Sequence, residues 1–213
     1  MREQEREIAR FFDCCEKPSQ KKMNQRMSRK ARSELVKAVR SIGLGGRTVL
    51  EVGSGAGELS RELVRAGAAK AIGLDLAEGN LEEARKRADE EGLSDRLEYR
   101  LSNGATDPLT EHDVVILDKV ICCYPNWREL VGNTSSAAKS LYAFVIPRSA
   151  GLSGAMVRAF IALQRLILRI MRCGFRPYVH DYRAIHAHLL SQGFERRRHA
   201  QGPIWMTAVY SRT

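Results

Sequence analysis

The sequence predicts an α/β fold in which a mostly parallel sheet carries helices on both faces and closes with a C-terminal antiparallel hairpin. Three observations carry this expectation. Apolar, β-rich runs alternate with helix-length segments between Thr48 and Pro147, and a glycine turn joins the first run directly to a helix. The chain then ends in two strand-like runs separated only by Gln201-Gly202-Pro203.

Taken in order, Met1 to Arg40 reads as two helical pieces broken near Pro18. Ile8, Phe11 and Phe12 form a partial apolar stripe, which Met23, Met27, Leu35, Val36 and Val39 resume. Residues 1–47 are therefore expected to form a helical arm over a domain spanning 48–213. TVLEV is the first strand, followed by the glycine turn and the helical GELSRELVRAG. AIGLDL is the second strand, NLEEARKRADEEG a charged helix, RLEYRL the third strand and DVVILD the fourth. A helix from about Trp127 to Ser140 leads to a fifth strand, LYAFVIP. Strands separated by helices of this length imply right-handed βαβ crossovers. Residues 152–180 are expected to be a helical insertion over the acceptor site, and DYRAIHAHLLSQG a helix capped by Asp181 and ended by Gly193.

Within the insertion, Arg158, Arg165, Arg169 and Arg172 interrupt the most apolar stretch of the chain at spacings that put them on one helix face. Several arginines in hydrocarbon would each cost about 2.5 to 3.5 kcal/mol, which argues against a transmembrane span. The segment is expected to be a lid or a core helix with an arginine rim, with peripheral contact to a membrane surface as the less favoured reading.

The 213 residues, 44% hydrophobic and 28% charged, suit a globular chain with a sizeable core. The polar opening MREQEREIARFFD argues against a standard secretory signal, so the cytoplasm is the expected location. The net charge of +10 is uneven: residues 1–47 carry +7, residues 158–213 carry +8, and the stretch between them is acidic. Such flanks suit an anionic partner, nucleic acid or membrane, or simply a solvated surface; no aromatic-basic motif favours nucleic acid. Cys14, Cys15, Cys122, Cys123 and Cys173 lack the spacing of a zinc site, so no metal is expected and the thiols are read as reduced.

The strongest chemical signal is VLEVGSGAGELS, where a strand feeds Gly53, Ser54, Gly55, Ala56 and Gly57 into a helix. Glycines there admit φ > 0 and let a ligand approach the main chain at a helix N-terminus. Eighteen residues past Gly57, Asp75 ends the second strand, where a carboxylate can accept from both hydroxyls of a ribose. A dinucleotide fingerprint would need glycine at position 58, which is Glu58. A carboxylate at the helix start repels pyrophosphate but tolerates a neutral sugar bearing an amino-acid zwitterion. Glu51, just before the turn, adds an acid where a cationic cofactor could sit. The electrostatics favour a sulfonium over a dinucleotide.

With Glu51 to Gly57 as E-x-G-x-G-x-G, Asp75, and DVVILD in the place of a fourth strand, the sequence resembles class I S-adenosylmethionine-dependent methyltransferases over about Thr48 to Arg148, and more loosely in its terminal hairpin. The resemblance implies a Rossmann-like sheet and S-adenosylmethionine as cofactor, leaving S-adenosylhomocysteine. It implies that Gly53, Ser54, Gly55 and Gly57 line the methionine and ribose, that Asp75 holds the ribose, and that Leu76 packs on the adenine. Where the family often has G-D-A, this chain has Asn103-Gly104-Ala105, which leaves Asn103 or a backbone group at Gly104 to meet the adenine amine. Leu117 and Asp118 fall at the mouth of the fourth strand.

The loop DKVICCYPNW should border the reacting methyl, because ligands of such sheets sit beyond the strands' carboxyl ends. It lacks the Asp/Asn-Pro-Pro-aromatic motif usual in nucleic-acid amino methyltransferases. LDKVICCYP followed by YAFVIPR is locally similar to magnesium-protoporphyrin O-methyltransferases. A small, ring-containing or lipophilic acceptor is therefore expected, with Tyr124 and His180 as the candidate catalytic residues if a proton must be removed. The alternatives are an RNA methyltransferase using the basic flanks, a metalloid or thiol methyltransferase using the adjacent cysteines, and a non-catalytic adenosyl-binding module.

Overall fold

The computed structural model describes residues 2–15 and 18–213, and the side chains of residues 2–13 and 29–213. The expected break near Pro18 separates α1 (Glu3–Arg10), with a π-helical turn at Phe11–Cys15, from α2 (Pro18–Gly43). Met23 and Met27 of the anticipated stripe lie outside the described side chains, whereas Leu35 and Val39 are fully buried.

The strands are β1 (Thr48–Val52), β2 (Lys70–Asp75), β3 (Leu97–Leu101), β4 (His112–Asp118), β5 (Ala138–Pro147), β6 (Phe194–Gln201) and β7 (Trp205–Arg212). The helices between them are α3 (Glu58–Arg65), α4 (Glu78–Glu90), α5 (Trp127–Ser136), α6 (Gly151–Ile170) and α7 (Tyr182–Ser191). The sheet order is β3-β2-β1-β4-β5-β7-β6. Pairs from β3 to β5 are parallel, while β7 lies antiparallel between β5 and β6. Only residues 202–204 join β6 to β7, too few for a crossover, so those two strands must run antiparallel. The sequence placed the fifth strand at LYAFVIP, but it starts at Ala138, because α5 ends at Ser136 and His112 already pairs with Ala138.

Side chains of a strand alternate between faces, and the core divides accordingly. Val49, Val114, Ile116 and Leu141 pack with Leu59, Leu63, Leu81 and Leu35 on the face covered by α2, α3 and α4. Leu50, Val115, Leu117 and Tyr142 pack with Leu130, Ile185 and Leu189 on the face covered by α5 and α7. The sheet runs outward from β1 in both directions, so the β1/β4 boundary is the switch point where an open α/β sheet leaves a crevice beyond its strand ends.

Helix α6 departs from the core-helix expectation. Among its residues only Gly154, Val157 and Leu168 are buried. Leu152, Leu163 and Ile170 are 82%, 56% and 73% exposed. Periodicity places these residues on one side of a helix but cannot say whether protein or solvent meets that side.

Candidate functional site

One crevice of about 720 Å³ opens at the β1/β4 switch point. Its floor is the turn after β1, and its walls come from the ends of β2 and β4, the 119–124 loop, α1, α6 and the hairpin turn. Of the residues expected to bind cofactor, Glu51, Gly53, Ser54, Gly55, Asp75, Leu76, Gly104 and Asp118 line it together.

The local sequence explains the turn. The Gly53 and Ser54 amides both donate to the Leu74 carbonyl, so the chain must reverse sharply, and Gly53 does so at φ 70°. A Cβ at Gly53 would overlap the Val120 side chain. Gly55, at φ 51°, faces open space, so no side chain closes the crevice there. Asp75 braces the turn, accepting from the Gly55 amide at 2.8 Å and the Ala77 amide at 2.9 Å. Burial raises its pKa above the ordinary aspartate value, against these hydrogen bonds, which lower it.

Glu51 is 2% exposed and accepts from the Ser60 hydroxyl. Burial pushes its carboxyl up to about 8, with the nearby Asp118 charge adding to the rise and the Ser60 hydrogen bond opposing it. Asp118 is held by Arg32 Nε at 3.2 Å and Lys119 Nζ at 3.0 Å, both on Oδ2. Its Oδ1 is buried without a partner, as is the Ser54 hydroxyl. Two orphaned polar oxygens beside an open glycine turn are the mark of a ligand cradle, since buried polar atoms are ordinarily satisfied. Arg32 also pairs with Glu58, so the carboxylate at the helix start is already neutralised by α2. The repulsion argument against a pyrophosphate is correspondingly weaker than the sequence suggested.

Several expected site residues stand elsewhere. Leu117 is fully buried in the core, because strand alternation turns it away from the face that Asp118 presents. Gly57 lies off the crevice, backed by Tyr99, with no room for a Cβ. The Asn103 Oδ1 is occupied, accepting from the Ala105 amide at 3.0 Å and the Tyr124 hydroxyl at 2.8 Å, whereas its Nδ2 is buried without a partner. Ser102 and Gly104, its neighbours, form the wall instead.

Tyr124 lines the crevice, but its hydroxyl already donates to Asn103, and burial raises its pKa far above neutrality. It is a poor proton acceptor as it stands. His180 is not on the crevice wall. Its Nε2 meets the Tyr124 carbonyl at 2.7 Å, so that nitrogen carries the proton, and burial lowers the ring's pKa. Its place is behind the 119–124 loop. Cys122 and Cys123 border the crevice as free thiols, and the Cys122 hydrogen bond and burial hold the Cys123 thiol well above its usual range. That opposes the thiolate a soft metalloid needs. Among the described residues, no group of three or more His, Cys, Asp or Glu could hold a metal ion.

Sequence reading missed Arg32 and Asn80, and it anticipated an acceptor pocket between the arm and the 152–180 helix without naming the side chains of the apolar vault. The vault joins Ile8, Phe11 and Phe12 to Met156, Phe160 and Phe175. Phe11 stacks on Phe175 with centroids 4.3 Å apart, linking α1 to the segment after α6. The arm's apolar stripe was the available signal for Ile8, Phe11 and Phe12.

Residues 49–140 match the family model described as "Methyltransferase domain". The ribosomal protein L11 methyltransferase of Enterobacter sp. (strain 638) is 40% identical over 75 residues, which cover 35% of this chain and 25% of that protein. The chain thus spans about a quarter of the length of the curated relatives it matches. Among solved structures, the magnesium protoporphyrin IX methyltransferase of Synechocystis PCC 6803, with S-adenosylmethionine bound, superposes at a TM-score of 0.76 with 18% identity, covering 100% of this chain and 99% of that one. The geranyl diphosphate C-methyltransferase of Streptomyces coelicolor A3(2) superposes at 0.73 with 12% identity over the same shares. At such identities these likenesses establish the fold.

Proposed function

The chain carries a class I S-adenosylmethionine-dependent methyltransferase domain, and from that premise we propose that it methylates a small lipophilic or ring-containing molecule. The observation that supports this reading is the continuity of one crevice from the glycine turn and Asp75 to an aromatic and aliphatic vault under α1 and α6. A polar end suits the nucleoside and amino-acid parts of the cofactor, and an apolar end suits an acceptor that leaves water readily.

Asp75 would hold the ribose hydroxyls, with Ser54 and the open backbone at Gly55 meeting the remainder of the cofactor. Glu51 and Asp118 would face its cationic groups. When bound, the cofactor supplies a methyl group already activated on sulfur. What remains for the chain is to align the acceptor and exclude water, which Phe11, Phe12, Phe160 and Phe175 are placed to do. Tyr124, its hydroxyl held by Asn103, serves as a positioned wall rather than a base.

The relatives named for ribosomal protein L11 match only part of the chain, and the apolar lining of the vault favours a lipophilic acceptor over a polar protein side chain. Calorimetry with S-adenosylmethionine, S-adenosylhomocysteine and NAD tests the cofactor half, with the first two expected to bind and NAD not. Incubation with labelled cofactor and a panel of phenols, aromatic carboxylates and isoprenoids tests the acceptor half. Cofactor binding with no transfer to any of them, against transfer to RNA or a protein, would overturn this reading.

A further inference from the structure

Helix α6 has three sides of different character. Gly154, Val157 and Leu168 face the domain, and Phe160, Ile161 and Gln164 help line the crevice. A third side carries Leu152, Met156, Leu163, Ile167 and Ile170, which are between 47% and 82% exposed, Met156 also reaching the edge of the crevice. Their spacings of four, seven, four and three residues align them along the helix. This is a continuous apolar row, not the scattered exposure normal for a soluble surface.

The charge within the segment itself is one-sided, with Glu7 and Arg10 of α1 facing it across a groove. Residues 151–180 contain Arg158, Arg165, Arg169, Arg172 and Arg176, all exposed, and no aspartate or glutamate. Arg158 donates to the Ser149 carbonyl, and Arg165 lies over the Tyr178 ring with 5.2 Å between its guanidinium carbon and the ring centroid. These guanidiniums therefore sit along the border between the apolar row and the domain.

We propose that α6 lies flat on an anionic lipid bilayer, with Leu152, Leu163, Ile167 and Ile170 among the acyl chains and the bordering arginines at the level of the headgroups. Exposed apolar side chains beside a margin of arginines are the arrangement of an interfacial helix. By length and composition the 20-residue helix, with an 18-residue window of mean hydropathy 1.4, could cross a membrane. Crossing, however, would strip Val157 and Leu168 from the domain and draw Arg158 and Arg165 into hydrocarbon. A second copy of the chain is disfavoured as the occupant, because a two-fold pairing of α6 on α6 would bring together two segments that each carry five arginines and no acid of their own.

A groove of about 380 Å³ between α1 and α6 extends the inference. Phe11, Phe160 and Gln164 line both this groove and the crevice, while Leu163, Ile167 and Met171 form its outer rim. The lipid-facing row thus borders a route into the vault. That a lipophilic acceptor enters by this route rests on the function proposed above; the docking itself does not.

Flotation of the cofactor-free full chain with vesicles tests the docking independently of any methyl transfer. Vesicles of phosphatidylcholine with about one third phosphatidylglycerol should carry the protein, and pure phosphatidylcholine should carry it at least tenfold less well, each arginine at the surface contributing about fivefold. Leu163→Ser with Ile170→Ser should cut partition at least tenfold while leaving the circular dichroism and melting temperature unchanged, since both side chains are exposed. Arg169→Gln with Arg172→Gln should abolish most of the preference for anionic vesicles. Absence of binding to either vesicle, equal binding to both, or binding unchanged in the leucine–isoleucine variant would overturn the proposal. So would a concentration-dependent dimer, seen by sedimentation, that is lost in that variant while vesicle binding is absent.

Discussion

Glu51 offers the sharpest test of how the crevice recognises its ligand. Its carboxyl, pushed up to about 8, is about nine-tenths protonated at pH 7 and about one-tenth at pH 9. If the cationic groups of S-adenosylmethionine engage the ionised form, binding must expel a proton, and this side chain favours affinity about tenfold more at pH 9 than at pH 7. The ligand's own α-amino group titrates near ~7.7 to 8.0, so the informative quantity is the affinity ratio of wild type to Glu51→Gln at each pH. Calorimetry in buffers of different ionisation enthalpy should show that ratio rising about tenfold across the interval, with more proton release at pH 7 in the wild type than in Glu51→Gln. The same group has an opposite signature in stability. Its folded pKa stands above the usual 4.5, so its burden is absent in acid, grows through neutrality and levels off above about 8. At pH 7 the burden is at most about 3 kcal/mol. Glu51→Gln should therefore melt several degrees above wild type at pH 8 and close to it at pH 4.5. A flat affinity ratio from pH 7 to pH 9 would refute the claim that this carboxyl meets a cation.

Other expectations follow from the same geometry. Asp75→Ala removes the acceptor of the Gly55 and Ala77 amides together with the ribose partner, so cofactor affinity should fall at least thirtyfold by calorimetry and stability by about 2 kcal/mol by urea titration. Arg32→Met leaves the Asp118 carboxylate without its arginine in a buried site, which should cost about 3 kcal/mol in urea unfolding; a cost below 1 kcal/mol would mean that water replaces the guanidinium. Tyr124→Phe should retain methyl transfer within about threefold, because the hydroxyl is engaged with Asn103; a loss of a thousandfold would restore Tyr124 as a base. Gly57→Ala should destabilise by more than about 2 kcal/mol, since the added methyl meets the Tyr99 ring at a left-handed φ of 70°.

Much of the fold was legible because local rules decide it. The alternation of TVLEV, AIGLD and DVVILD with helix-length segments fixes strands, and three residues between β6 and β7 leave no choice but antiparallel pairing. The glycine turn and Asp75 were legible for the same reason, each being a consequence of backbone geometry at one place. Leu117 was within reach of the same rules, because period-two alternation already sets it opposite Asp118. What local rules do not encode is partnership across the chain. Arg32 meets Asp118 across 86 residues of sequence, and the Asn103 Oδ1 accepts from Tyr124 across 21. Nor does an apolar row declare what covers it, which is why α6 reads equally as core or surface until the sheet is in place.

The bridge made by Arg32 has an evolutionary corollary. A single guanidinium clasps Glu58, at the head of the first crossover helix, and Asp118, at the tip of the fourth strand, so α2 is keyed to the sheet domain by two specific locks. Such a helix cannot be exchanged freely between related proteins. A chimera would inherit a stranded cation unless its host also offered acids at both places, so exchange of this segment would have to proceed by concerted replacement of three positions.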